Sequence, residues 1–269
     1  MKIDIVIHSS DSNPYYLDFW PIVSKIWKVK FGVTPLLVYI DENHDIPIDE
    51  TYGIVVKMKP VEGVPLYIQC CWVRFWIPTQ YPEKMCMTSD IDMLPISKRY
   101  FIKRIENIPD TAYVHLNAGS KYYDRLPVCY HIARGSLFKE ILELPDTFEE
   151  SAHQVNDFPF AETGHTIPGK EFMRWGIDEE FSTNKIRKYK DYSIFKFFSR
   201  SAAHDNRIDR HDWQYQVSDL HRDLYVDCHS IRPYSDPENK KEIDKLVEYI
   251  METGNGVSKV YNPFRRSKQ

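Results

Sequence analysis

The residues best suited to chemistry cluster in Thr88-Ser89-Asp90-Ile91-Asp92-Met93-Leu94-Pro95, directly after the run Lys84-Met85-Cys86-Met87-Thr88. In an extended chain, side chains two residues apart point to the same side. Asp90 and Asp92 are therefore expected to converge at the carboxyl end of a strand, where open α/β sheets place ligands. Two carboxylates that close repel each other unless a cation neutralises them. Mg²⁺ and Mn²⁺ accept such an oxygen pair and commonly bridge it to phosphate. A polar turn that merely ends a strand is the competing reading, because Asp-x-Asp is a frequent tripeptide. A second group lies far downstream, in Tyr225–Tyr234. His229 follows a short apolar run there, and an imidazole added to two carboxylates favours Mn²⁺ over Ca²⁺. Arg232 carries the planar fork that holds a phosphate through two bonds. The plain alternative is a core histidine on a backbone carbonyl and an arginine in a surface ion pair.

The elements that must position these residues follow from apolar periodicity. Ile3–Ile7 reads as a buried strand, and residues 9–14 as a polar loop in which Asn13 caps a helix with Pro14 at its first position. Leu17, Trp20, Ile26 and Trp27 continue at helical spacing to Gly32, a C-cap, with a kink or restart at Pro21. Strands are expected at 36–40, 54–58 and 84–88, with a helix over 66–78. This strand–helix alternation predicts an α/β chain with a mixed, mostly parallel sheet flanked by helices, in a single domain. Beyond residue 95 strands are expected at 112–116, 128–133, 193–198 and 225–227. Helices are expected at 136–144, 178–189 and 240–251. Residues 149–176 read as a long loop or a broken helical segment, and the last 15 or so as a tail.

Composition limits the function classes. The chain has 269 residues, 35 Lys+Arg against 39 Asp+Glu, and 14% aromatic residues. The net charge of −4 offers no basic excess for nucleic acid or an anionic membrane surface. No run approaches the ~20 apolar residues of a membrane span, and the apolar start is too short for a signal peptide. Five cysteines without a CxxC pair support neither a zinc ribbon nor a disulfide scaffold, so a reduced cytosolic setting is the expectation.

The order of an N-terminal strand and polar loop, Arg74-Phe75-Trp76-Ile77-Pro78, Ser-Asp-Ile-Asp at 89–92, Trp175-Gly176-Ile177-Asp178-Glu179-Glu180 and a late histidine resembles the GT-A fold glycosyltransferases, which use nucleotide sugars. The resemblance spans most of residues 1–235 and rests on few positions. It implies a Rossmann-like GT-A domain over 1–236, with a nucleotide-binding half (1–95) and an acceptor half (96–236), followed by a C-terminal helix and tail (237–269). It implies transfer of a sugar from a nucleoside-diphosphate sugar, with UDP as the expected carrier, to a hydroxyl of a glycan or other acceptor. Asp90, Asp92 and His229 would hold Mn²⁺ or Mg²⁺, and Ser9, Asn13, Tyr16, Arg74, Ser89, Asp90 and Arg232 would face the nucleotide. On its apolar helix Arg74 needs a partner, which is either the nucleotide or Asp90. Tyr16 suits a helix core equally well.

Asp178 or Glu179, Asp178 preferred, would accept the proton of the acceptor hydroxyl in an inverting reaction. A helix N-terminus, which favours acidic residues, explains the pair structurally. Trp175 would offer a flat face to a sugar, and 115–117 would line the acceptor cleft. Arg200, Arg207 and Arg210 would reach the diphosphate or else satisfy Asp205, Asp209 and Asp212 in their own segment. The absence of an anchor fits a cytoplasmic bacterial or viral enzyme. Two alternatives stand beside this reading. One is a nucleotidyltransferase acting on a sugar phosphate, although residues 1–31 contain no glycine for a phosphate loop. The other is a non-catalytic carbohydrate-binding protein.

Overall fold

Strand β1 (Ile5–Ser10) is the centre from which the larger sheet grows. The computed structural model describes residues 1–43, 45–117, 125–159, 174, 176–200 and 204–253. β1 is buried along nearly its whole length, as expected for a strand covered on both faces. Asn13 then caps helix α1 (Pro14–Leu17), accepting from the Tyr15 amide. The chain restarts as α2 (Trp20–Lys25), with Pro21 in its first turn, and continues as a π-helical segment, Ile26–Phe31, that ends on left-handed Gly32. Strands β2 (Thr34–Ile40) and β3 (Ile54–Met58) follow, then α3 (Leu66–Trp76) and β4 (Met85–Thr88).

β2 and β4 flank β1, and both run parallel to it. The chain moves outward through β2 and β3 and then returns to the other side of β1. The carboxyl ends of β1 and β4 therefore form a switch point, the place where open sheets leave a crevice for ligands. Beyond β4 lie β7 (His131–Arg134) and β6 (Tyr113–His115), both paired antiparallel, and β8 (Phe195–Phe197), parallel to β6. The full order is β3-β2-β1-β4-β7-β6-β8. The expected mixed, mostly parallel α/β sheet is present.

A second, three-stranded sheet was not foreseen. It joins β5 (Met93–Pro95), β9 (Asn206–Asp209) and β10 (Tyr225–His229) in the order β5-β10-β9. The 199–215 segment thus contributes a strand and is more than a charged loop. β10 also runs two residues beyond the strand expected at 225–227, which puts His229 at its end.

Helices α4 (Gly135–Leu142), α5 (Phe148–Asn156), α6 (Ile177–Lys188), α7 (Val217–His221) and α8 (Pro237–Glu252) complete the described chain. α5 fits the broken helical segment, one of the two expectations for the stretch from 149. Thr147 accepts from the Glu150 amide and donates to the Glu150 carboxylate, a cap that starts a helix despite its polar sequence. The 160–173 stretch, Trp175, Tyr122, Tyr123 and the 254–269 tail lie outside the described residues. None of the described helices is long and apolar enough to cross a membrane.

Candidate active site

A cleft of about 750 Å³ opens over the carboxyl ends of β1 and β4. Ser9, Asn13, Tyr16, Arg74, Asp90, Asp92, Asp178, Glu179, His229 and Arg232 all line it, although they span more than 220 positions of sequence. Ser89 does not. It is fully buried, with its hydroxyl donating to the Asp90 carbonyl, so it shapes the turn and faces no ligand. His115 and Leu116 are also fully buried, and His115 Nε2 bonds the Pro127 carbonyl. They lie in the core, and the expectation that this segment lines the cleft is corrected accordingly.

The two motif aspartates converge by a different geometry from the one expected. They occupy a turn between β4 and β5, closed by Met93 N donating to the Asp90 carbonyl at 3.3 Å, and are not on an extended strand. Arg74 Nη1 donates to Asp90 Oδ1. The Cys129 thiol donates to Oδ2 at 3.2 Å and accepts from the Asp90 amide at 3.0 Å. Burial works against the Asp90 charge, but Arg74 and the thiol outweigh it and hold the carboxyl below its ordinary range. The same guanidinium reaches the opposite wall, with Nη2 3.8 Å from Asp178 Oδ2. The partner of Arg74 is therefore a pair of carboxylates, one from each side of the cleft.

The small sheet brings the late residues to the motif. β10 pairs antiparallel with β5, setting His229 opposite Met93, and parallel with β9, setting His229 opposite Asp209. The Ser230 amide donates to the Asp92 carbonyl at 3.0 Å. His229 Nε2 then lies 4.0 Å from Asp92 Oδ2, while its Nδ1 is 3.3 Å from Asp209 Oδ2. Asp92, only 3% exposed, also accepts from Arg210 Nη2 at 3.0 Å and Arg232 Nη1 at 3.4 Å. The Arg232 guanidinium sits 4.9 Å from the Tyr16 ring, so Tyr16 faces the cleft from α1. Burial lowers the His229 pKa from its ordinary value, against the pull of Asp92, which favours a neutral ring.

On the far wall, Asp178 and Glu179 stand in the first turn of α6, as their sequence context suggested. α6 is pinned to α3 by Phe181 edge-on to Trp72, with centroids 4.9 Å apart. Gly176 precedes the helix at φ +85, and a Cβ there would come within 2.7 Å of the Arg125 guanidinium. Arg125 Nε lies 3.2 Å from Glu179 Oε2, and the Val128 amide donates to Glu179 Oε1 at 3.3 Å. Burial, then the neighbouring Asp178 charge, push Glu179 up to about 7, with Arg125 pulling the other way. Burial also raises Asp178 despite Arg74.

Sequence reasoning missed Arg125, Asp209 and Cys129. Asp209 does sit beside Arg210 in a charged run, and that run was the available signal. Of the three downstream arginines, only Arg210 enters the cleft. Arg200 and Arg207 bind the fully buried Asp227, which also accepts from Tyr130 at 2.7 Å. Asp205 pairs with Arg99 and Arg104. Neither expected use of Arg200 and Arg207, diphosphate or neighbouring acids, matches this arrangement.

Could the cleft hold a divalent ion? Among the described residues, no three His, Cys, Asp or Glu side chains form a ready cage. Asp92 and His229 nevertheless fit as a pair, since two ligands at about 2.1 Å from one ion can lie up to ~4 Å apart. His229 Nδ1 has both Asp209 Oδ2 and Arg210 Nε at 3.3 Å; with Asp209 as its partner the Nε2 lone pair faces Asp92, the usual carboxylate–histidine–metal support. Among the described lining residues, four arginines face five carboxylates. These described residues thus carry no surplus positive charge with which to neutralise a diphosphate.

No family model matches this chain, and no curated protein matches it. In its overall course it is similar to the galactosyltransferase LgtC solved with donor and acceptor sugar analogues. The identity is 10%, covering 94% of this chain and 98% of that one, with a TM-score of 0.46. An active-site mutant of LgtC gives 10% identity, 91% and 95% coverage and a TM-score of 0.49. The apo glycosyltransferase GlyE of Streptococcus pneumoniae gives 11%, 78% and 68%, with a TM-score of 0.37.

Proposed function

We propose that this chain is a glycosyltransferase that moves a sugar from a nucleoside-diphosphate donor to a hydroxyl acceptor with the help of a divalent ion. The observation that carries the reading is the division of the cleft. One wall holds the Asp90–Asp92 turn, His229, Arg210 and Arg232, and the other holds the carboxylates of Asp178 and Glu179, with Arg74 between. An anion-and-metal side facing a proton-accepting side suits a transfer in which a carboxylate activates the acceptor hydroxyl.

Asp92 and His229 would hold the ion, with Mn²⁺ favoured by the imidazole and Mg²⁺ as the other candidate. Two protein ligands suffice when substrate phosphates supply the rest. When bound, the ion supplies Lewis-acid stabilisation of charge on the departing diphosphate. Arg210 and Arg232 exchange Asp92 for phosphate oxygens as the donor arrives, because guanidinium–phosphate pairs are at least as favourable as the pairs they replace. Tyr16, with Ser9 and Asn13 beside it, offers the nucleoside a ring face and hydrogen-bonding groups. Arg74 stays on Asp90 and steadies Asp178.

Glu179 is the carboxylate assigned to accept the acceptor's proton. Its side chain is 26% exposed against 5% for Asp178, so it meets the cleft more openly. A pKa near 7 also matches a general base working near neutrality. This reverses the order of preference drawn from sequence.

The test is release of nucleoside diphosphate from a panel of UDP-, GDP- and ADP-linked sugars with Mn²⁺, in wild type and Asp92→Asn. Release that falls at least 100-fold in a folded Asp92→Asn variant is expected. Pyrophosphate released from a nucleoside triphosphate and a sugar phosphate would instead establish the nucleotidyltransferase.

A further inference from the structure

We propose that a groove between the β9–α7 connection and α8 is a second saccharide-binding site, separate from the reaction cleft, which holds the body of a neutral sugar chain. Its link to catalysis, anchoring an acceptor whose end reacts in the cleft, rests on the glycosyl-transfer reading above. The groove measures about 380 Å³ and is lined by Trp213, Gln214, Tyr215 and Gln216 on one side and Glu242 and Lys245 on the other.

The chemistry of this lining selects its ligand. Trp213 and Tyr215 are half-buried and edge-to-face, with centroids 6.4 Å apart. They give the groove flat apolar surface of the kind that packs against the C–H face of a sugar ring. The Trp213 indole N–H is buried with no acceptor among the described residues. Two carboxamides both donate and accept. Glu242 and Lys245 stand three residues apart on α8, where their opposite charges cancel locally. A wall rich in hydrogen bonds but without net charge suits a neutral polyol and not a phosphate. The reaction cleft differs in that its described lining is dense in ionised side chains of both signs.

The backbone supports a retained role for the ring. Trp213 sits at φ +44, a left-handed conformation that is costly for a bulky side chain. Its amide donates to the Asp209 carbonyl at 2.8 Å, closing the turn that follows β9. Arg210, in the same turn, lines the cleft. One short turn thus supplies Arg210 to the cleft and Trp213 to the groove.

The left-handed backbone also supplies a variant. Trp213→Gly removes the ring and relaxes the turn but gives up the ring's contact with the core, so a thermal melt first establishes that the variant is folded. Tyr215→Leu serves as a second variant. Neutral tetrasaccharides of glucose, galactose and N-acetylglucosamine are titrated into wild type and both variants by calorimetry. A thermal scan with UDP, GDP, ADP and CDP, each with Mn²⁺, runs in parallel. The expected result is at least one tetrasaccharide that binds wild type and weakens tenfold or more in Trp213→Gly, with the diphosphate response unchanged. If no tetrasaccharide binds wild type, or if both variants bind as well as wild type, the groove is not a saccharide site. Ring-dependent binding without any nucleotide response would leave the groove standing and remove the transferase reading.

Discussion

Glu179 is the residue whose ionisation links the site to pH. Its pKa is raised from 4.5 to about 7 in the folded protein, because burial and Asp178 disfavour the charge. The folded state therefore binds this proton more tightly than the unfolded chain does. The stabilisation is fully present below pH 4.5 and is lost as pH rises through about 7. Glu179→Gln is expected to raise stability at pH 8 by about 1–3 kcal/mol relative to wild type, and to change little at pH 4.5. Denaturant melts at the two pH values check this. Catalysis runs the other way, since a base must be ionised. The rate should climb through pH 7 and drop about 10²–10⁴-fold in Glu179→Gln. Arg125→Met should move the rising limb to higher pH, because Arg125 holds the pKa down; an unmoved limb would assign it to another group. The aspartate motif and His229 were legible in the sequence, because residue type and a preceding apolar run mark them. The Arg125–Glu179 and Arg74–Asp178 pairs were not, since no local pattern records which side chain a distant loop presents.

At the scale of elements, the small sheet decides whether the late residues reach the motif. Asp227 in β10 is fully buried and clamps Arg207 of β9, Arg200 and Tyr130 of the larger sheet's approach to β7. Burial opposes its charge, yet the two arginines and Tyr130 hold its pKa well below the ordinary range. This contribution is present above the ordinary carboxylate pKa of 3.8 and is lost as pH falls below it. Asp227→Ala is expected to cost about 3–5 kcal/mol, because it leaves buried arginines without their partner. It should also loosen His229 from Asp92, which would weaken Mn²⁺-dependent nucleotide binding.

Gly176→Ala tests the other wall. A left-handed position and the Arg125 contact predict a loss of about 1–2 kcal/mol, read by thermal melting. An unchanged midpoint would mean that the helix start is relaxed. The first 88 residues were readable as elements because long apolar runs and caps such as Asn13 and Gly32 punctuate them. β5 and β9 escaped notice because strands of three or four residues carry no periodic signal, and Asn206–Asp209 lies within a charged run. α5 could have been placed outright, since Thr147 and Glu150 form a capping box ahead of the buried Phe148, Ala152 and Val155.

For the whole molecule, one sheet supplies the switch-point crevice and the other delivers His229, Asp209 and Arg210 to it. The site thus forms only when both are in place. The charge balance of the cleft is the consequence most open to experiment. Among the described lining residues, four arginines against five carboxylates cannot neutralise a diphosphate unaided, so diphosphate and divalent ion should bind together and not separately. The most direct measurement is the thermal midpoint against UDP, GDP, ADP and CDP, each with Mn²⁺ and with chelator, in wild type and Asp92→Asn. A ligand bound only by the native state raises the midpoint by mass action, by about 2.7 kcal/mol of stability at a hundred times its Kd. The account predicts a rise with one diphosphate that vanishes on chelation and in Asp92→Asn. A midpoint unmoved by every diphosphate at millimolar concentration, or a rise indifferent to chelator and to Asp92, would contradict it.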